Sequence, residues 1–204
     1  MGTQNTQTVR RRPYQKRRRA EQERHTRERI AAAAAALHGS VGPANTTVKA
    51  IAERAGVERA TVYRHFPTDE ALFEACTAHF YGRHPLPDPD TWMAIEGPAE
   101  RLRRALAELY AWYEETEGML SNVTRDAAYT PAAARERYLA YFERVRATLM
   151  AGRRGRGRAR RRVAAAIGHA TGFATWKSLV REQGLDQDDA VALMVSMVDA
   201  AAAL

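Results

Sequence analysis

Cysteine is almost missing from this 204-residue sequence: Cys76 stands alone. No intrachain disulfide can form, and neither a four-cysteine nor a cysteine–histidine zinc cage can be assembled. Cys76, His79 and His84 lie close together, but three such ligands with no carboxylate at a recognised spacing make a poor metal site, and none is expected. Long apolar runs are missing as well. The alanine run from Ala31 to Ala36 is too short and too weakly apolar to span a bilayer, and the first thirty residues hold no hydrophobic signal segment, so a soluble, cytoplasmic protein with no membrane partner is expected. There is no phosphate-cradling glycine loop, no nucleophile elbow and no pair of zinc-spaced histidines, and the carboxylates are scattered. An enzyme is not expected, nor a cofactor.

Apolar residues make up 45% of the chain, enough for a real core, and the length leaves room for a small domain and a larger one. The net charge of +8 is unevenly spread. Residues 1–29 hold ten Arg/Lys against three Glu, and residues 152–162 hold seven arginines and no acid, so the rest of the chain is slightly acidic. The basicity is local and points to a polyanion. Residues 1–18, poor in apolar side chains, read as a disordered basic arm. Its Arg17 and Arg18, with the adjoining Arg19, lie where they can follow a phosphate backbone or enter a minor groove. From Arg19 to His38 alanine and straight-chain residues favour a helix, with Ile30, Ala33, Ala34 and Leu37 as its buried stripe and Gly39, Gly42 and Pro43 ending it.

The stretch from Thr46 to Leu72 organises the rest. Thr46 and Thr47 offer caps to a helix whose Val48, Ile51, Ala52 and Ala55 share one face. Gly56 can take the left-handed conformation of a tight turn. In the helix after it, Val62 and Phe66 lie four apart and pack back on the first, leaving Ala60, Thr61, Tyr63 and Arg64 pointing away. This is a helix-turn-helix pattern, whose second helix enters the DNA major groove.

The pieces Ile51-Ala52, Ala55-Gly56-Val57, Thr61-Val62-Tyr63, Tyr63-Arg64-His65-Phe66 and Glu70-Ala71-Leu72 together resemble the DNA-binding signature of the TetR family of transcriptional repressors. The resemblance covers about the first eighty residues. It implies an all-α fold, with a three-helix helix-turn-helix DNA-binding domain (residues 19–82) followed by a larger helical ligand-binding and dimerisation domain (residues 83–204). It also implies that Arg59, Ala60, Thr61 and Arg64 face bases, while Thr47, Tyr63 and His65 hold phosphates. Thr46 and Lys49, at the start of the first helix of the motif, join them as candidates. The chain departs from the pattern at Asp69, where family members often carry a lysine or arginine. Asp69 and Glu70 instead suit the first turn of a helix capped by Thr68.

Beyond that signature the sequence is read from periodicity. A helix from Thr68 to Phe80 links the domains, and the proline-rich segment from His84 breaks regular structure. After Pro98 four or five helices are expected. Leu102, Leu106 and Leu109 mark one, Met119 to Asp126 a short one, and Thr130 caps a longer one. After the Gly/Arg loop of residues 152–162, Val163 to Glu182 forms a single helix and Asp186 caps the last. Gly168, Ala170, Gly172 and Ala174 alternate along the penultimate helix and allow close approach. The resemblance implies that the last two helices of each subunit build a four-helix homodimer interface, and a two-fold dimer reads a palindromic operator on double-stranded DNA. Trp112, Tyr113, Tyr138, Phe142, Phe173 and Trp176, with the polar Asn122 and His169, are candidates for a small-molecule effector site of mostly apolar or aromatic preference. Two functions stay open: a repressor released by such an effector, and an architectural nucleic-acid binder that uses its arginine tracts without sequence choice.

Overall fold

The structure, a computed structural model, describes residues 8–203, with side chains from Tyr14 onward. Among the described residues the regular elements are all helical, and the chain divides into two compact units, Met1–Gly82 and Arg83–Leu204.

The N-terminal unit opens with α1 (Thr8–Ser40). The arm expected to be disordered over residues 1–18 is therefore helical from Thr8; residues 1–7 lie outside the described residues. Its arginines, Lys16 and Gln15 are good helix formers, and extending a helix that already exists costs little compared with starting one. No side chain of α1 is buried between Tyr14 and Arg29, and Ile30 is the first.

Three short helices follow: α2 (Val48–Ala55), α3 (Arg59–His65) and α4 (Asp69–Arg83). Thr47 caps α2 by accepting from the Ala50 amide at 3.1 Å, and Thr68 caps α4 by accepting from that of Ala71. Gly56 turns the chain between α2 and α3 at φ 63°, ψ 44°. Ile30, Ala33, Ala34, Ile51, Ala52, Ala55, Val62, Phe66, Leu72 and Cys76 form the core, and its alanines let α1 and α2 pack closely.

In the C-terminal unit, residues 85–88 of the proline-rich segment lack regular structure, as expected, and α5 (Pro89–Trp92) starts at its last two residues. Asp88 caps it, and the buried Trp92 donates from Nε1 to Glu108 at 2.7 Å. Helix α6 (Pro98–Arg125) is one continuous helix where two were expected, and α7 is Ala132–Met150. Thr130 does not cap α7: Pro131 holds the cap position without a side-chain hydrogen bond, and Thr130 Oγ1 is buried with no hydrogen-bond partner among the described residues.

The helix expected from Val163 to Glu182 is broken. It forms α8 (Gly157–Ala170), α9 (Phe173–Trp176) and a π-helical segment, Lys177–Glu182. The chain is extended at Gly172, φ −77° and ψ 138°. Tyr110 Oη donates to the Ala170 carbonyl at 2.9 Å and Tyr113 Oη to that of Thr171 at 2.5 Å, while Thr171 Oγ1 donates to the Ile167 carbonyl. Two phenols of α6 thus serve carbonyls at the break, where a buried carbonyl left unpaired would be costly. The alternating small residues do not share one continuous helical face, because the break falls among them.

The final helix, α10 (Gln187–Ala203), starts where the Asp186 carboxylate accepts from the Asp189 amide at 2.8 Å. It packs on α8 and α6 through Val191, Met194, Val195 and Val198, all buried.

Candidate functional site

Helix α3 buries Val62 (1% exposed) and is followed at once by buried Phe66 (2%). That choice turns the remaining residues outward. Arg59, Ala60, Tyr63 and Arg64 are exposed, and Thr61 and His65 are half-buried. The charge on this face is uncommitted: neither Arg59 nor Arg64 makes an ion pair or hydrogen bond among the described residues. His65 stays neutral at pH 7, because partial burial and the nearby Arg64 and Arg27 cations hold its imidazole below the usual range.

Two arginines of α1 that the sequence reading passed over hold this geometry. Arg27 donates to the His65 carbonyl at the end of α3 and lies 4.1 Å from the Phe66 ring centroid. Arg29 donates to the carbonyls of Ala55 and Gly56 at the end of α2. Both cations meet unpaired helix-end carbonyls, where the helix dipole also favours positive charge. Nothing in their spacing marks them, since the carbonyls they serve lie on other helices.

The other sequence-derived candidates are less alike. Thr46 spends its hydroxyl on the Gly42 carbonyl, Thr47 on its cap, and Lys49 lies 3.8 Å from Glu53 with both exposed. Arg17, Arg18 and Arg19 are exposed on α1, where Arg18 faces the Tyr14 ring and Arg19 is 4.0 Å from Glu23. Among the described residues no hydrogen bond or ion pair joins them to α3.

The C-terminal aromatics form two groups. Tyr113, Phe173 and Trp176 pack with centroids 5.5 to 6.0 Å apart, and Trp112 meets Tyr113 edge-on at 5.8 Å. On α7, Tyr138 and Tyr141 flank Phe142 at 4.8 and 5.0 Å. Burial pushes the Tyr113 phenol far above its usual value, and the Tyr138 and Tyr141 phenols add to that. Trp176 Nε1 is buried with no hydrogen-bond partner among the described residues. The Asn122 side-chain carbonyl accepts from Arg125, and His169 is exposed, its ring near Thr175.

A third residue with no place in the sequence-derived site is Arg101. Buried in the apolar face of α6, it donates to the carbonyls of Trp92, Ile95, Thr148 and Ala151. Its position in that stripe, one before Leu102 and four before Ala105, was a visible signal of burial.

Three helices crossed tightly at a left-handed glycine, with an uncommitted cationic face on the last of them, define a helix-turn-helix DNA-binding domain. Residues 30–76 match the family described as bacterial regulatory proteins, tetR family. These residues thus carry the DNA-binding domain of the tetR family of bacterial regulatory proteins.

Solved structures share the fold across nearly the whole chain. A TetR-like transcriptional regulator from Rhodococcus sp. RHA1 is 20% identical, with a TM-score of 0.62 over 87% of this chain and 96% of that one. NalD, the secondary repressor of the MexAB-OprM multidrug efflux pump in Pseudomonas aeruginosa, is 22% identical, with a TM-score of 0.59 over 89% of this chain and 97% of its own. A tetR-family transcriptional regulator from Streptomyces coelicolor is 20% identical, with a TM-score of 0.56 over 87% and 81%. No curated protein matches the sequence.

Proposed function

We propose that the protein is a dimeric repressor that reads a palindromic operator through α3 and leaves it when a small, mostly apolar or aromatic molecule binds the C-terminal unit. The observation that carries this reading is the outward face of α3. Arg59 and Arg64 are exposed there and make no hydrogen bond or ion pair among the described residues, beside Ala60 and Thr61, which are small enough to let the backbone approach base edges. An arginine with both terminal nitrogens free can donate two bonds to guanine O6 and N7. Tyr63 and His65 flank them as phosphate contacts, and Arg17 to Arg19 on α1 supply further phosphate charge.

Two features support the remainder. Leu193 and Met197 lie four apart on α10, 40% and 50% exposed. They form an exposed apolar strip alongside the buried stripe, suited to a second copy of the same helix. The Tyr113–Phe173–Trp176 group supplies apolar walls, and the unpartnered Trp176 indole N–H is a donor for an effector's single polar acceptor. An effector releases DNA only by binding one of the two conformations better than the other.

Selection of bound duplexes from random-sequence DNA tests the reading. The expected outcome is a palindrome with half-sites about one helical turn apart, or a simple extension of that spacing. Arg64→Ala then loses about 1–3 kcal/mol and relaxes one position per half-site. Equal capture of all sequences, with affinity set by salt alone, would replace the repressor with an architectural binder.

A further inference from the structure

The run of arginines from 153 to 162 is not used by the DNA-binding face, and its members have separated roles. Arg153 is drawn inward, donating to the carbonyls of Leu149 and Pro98 and to Asp199, and Arg162 reaches the Ala201 carbonyl. Arg154, Arg156, Arg158, Arg160 and Arg161 make no hydrogen bond or ion pair among the described residues. Five uncompensated cations in so short a segment repel one another and raise the local positive potential.

Arg160 and Arg161 do more than face solvent. They stand on the wall of a groove of about 460 Å³ between α7 and α8, floored by Ala147, Met150 and Ala164. The one carboxylate in its lining, Glu143, is already paired with Arg146. The groove therefore offers two unneutralised guanidinium groups beside an apolar floor, in a volume that suits a small molecule.

We propose that this groove binds a small amphipathic anion. Its carboxylate or phosphate head is held by Arg160 and Arg161, and its short apolar body lies over Ala147, Met150 and Ala164. Guanidinium groups match such heads with paired, charge-assisted hydrogen bonds. A nucleic-acid backbone would use the charge and leave the apolar floor unfilled, which is why the small ligand is favoured. The groove is built from α7 and α8 and shares no residue with the Tyr113–Phe173–Trp176 group, so it stands independently of the effector reading.

Methyl NMR of the full-length protein carrying ¹³C-labelled methionine methyls reads the floor directly through Met150. Octanoate is the probe, octanol its uncharged counterpart, and inorganic phosphate the head without a body. The expected result is a saturable Met150 shift with octanoate, none with octanol, and at least tenfold weaker binding of phosphate. The double variant R160A/R161A should weaken octanoate at least tenfold, whereas R158A, outside the groove, should leave it unchanged. All three arginines are exposed, so circular dichroism of the variants should match the parent. A Met150 signal unmoved by octanoate, or moved equally by octanol or in R160A/R161A, overturns the proposal. So does a response to random-sequence duplex DNA with none to octanoate, which would assign the groove to a polyanion.

Discussion

The chain reverses direction between two helices at Gly56 and interrupts another at Gly172, and the two glycines do opposite work. Gly56 sits at φ 63°, a conformation that a Cβ disfavours by roughly 1–2 kcal/mol. The turn is thus a property of the residue itself. Gly172 sits at φ −77°, ψ 138°, which any residue adopts. There the break is imposed from outside, by the Tyr110 and Tyr113 hydroxyls that take the Ala170 and Thr171 carbonyls. The N-terminal unit is shaped by local conformational preference and then clamped by Arg27 and Arg29. The C-terminal unit is shaped by buried polar groups that reach across helices, with Arg101 as the largest.

The strongest way to break that contrast is Arg101→Met, which keeps the apolar stem and removes the donors from four carbonyls. About 3–5 kcal/mol should be lost from the C-terminal unit. Trp92, Trp112 and Trp176 all lie in that unit, so denaturant unfolding followed by tryptophan fluorescence reads it. Tyr113→Phe, leaving the Thr171 carbonyl unpaired, should cost about 1–3 kcal/mol by the same measurement.

Exchanging each glycine for alanine sharpens the comparison. Gly56→Ala should destabilise the N-terminal unit by about 1–2 kcal/mol, because of the backbone angle and because the new Cβ would lie 3.2 Å from Arg29 Nη2. Gly172→Ala should cost less, asking only that the His169 carbonyl, 3.3 Å away, yield slightly. Thermal melts of the two variants should rank in that order.

The smallest effect concerns pH. Burial holds His38 below its ordinary pKa, so the folded unit prefers the neutral ring and the unfolded chain takes up the proton first. The contribution of His38 is complete above about pH 6.5. It falls as pH drops from there through the folded pKa. Urea midpoints of the N-terminal unit, followed by circular dichroism, should decline between pH 7.5 and 5.5, and His38→Gln should flatten the decline.

The same distinction explains which parts of the fold were legible in the sequence. Gly56, the Thr47 and Thr68 caps, and the Val62–Phe66 spacing act within a few residues of themselves, so a single sequence displays them. The break at Gly172 depends on tyrosines about sixty positions earlier, and Arg27 and Arg29 act on carbonyls of other helices, so neither has a local signature. Helix α6 stayed whole through Gly118 because the packing of its long apolar face outweighs one unfavourable residue. Among the candidate effector residues, those on strong helical stripes, Tyr113 and Trp176, came together.

Cys76 turns its own burial into a clock. Its thiol is 2% exposed, lies 3.4 Å from His38 Nδ1, and is pushed by burial to a pKa of about 12. An alkylating reagent at pH 8 thus finds almost no thiolate until α1 and α4 part. Because the chain has no other cysteine, the mass added over time counts those openings alone. Where closing is fast compared with modification, the rate yields the free energy of that separation. Repeating the count with operator DNA bound would express, in hours of protection, how firmly the DNA holds the two helices together.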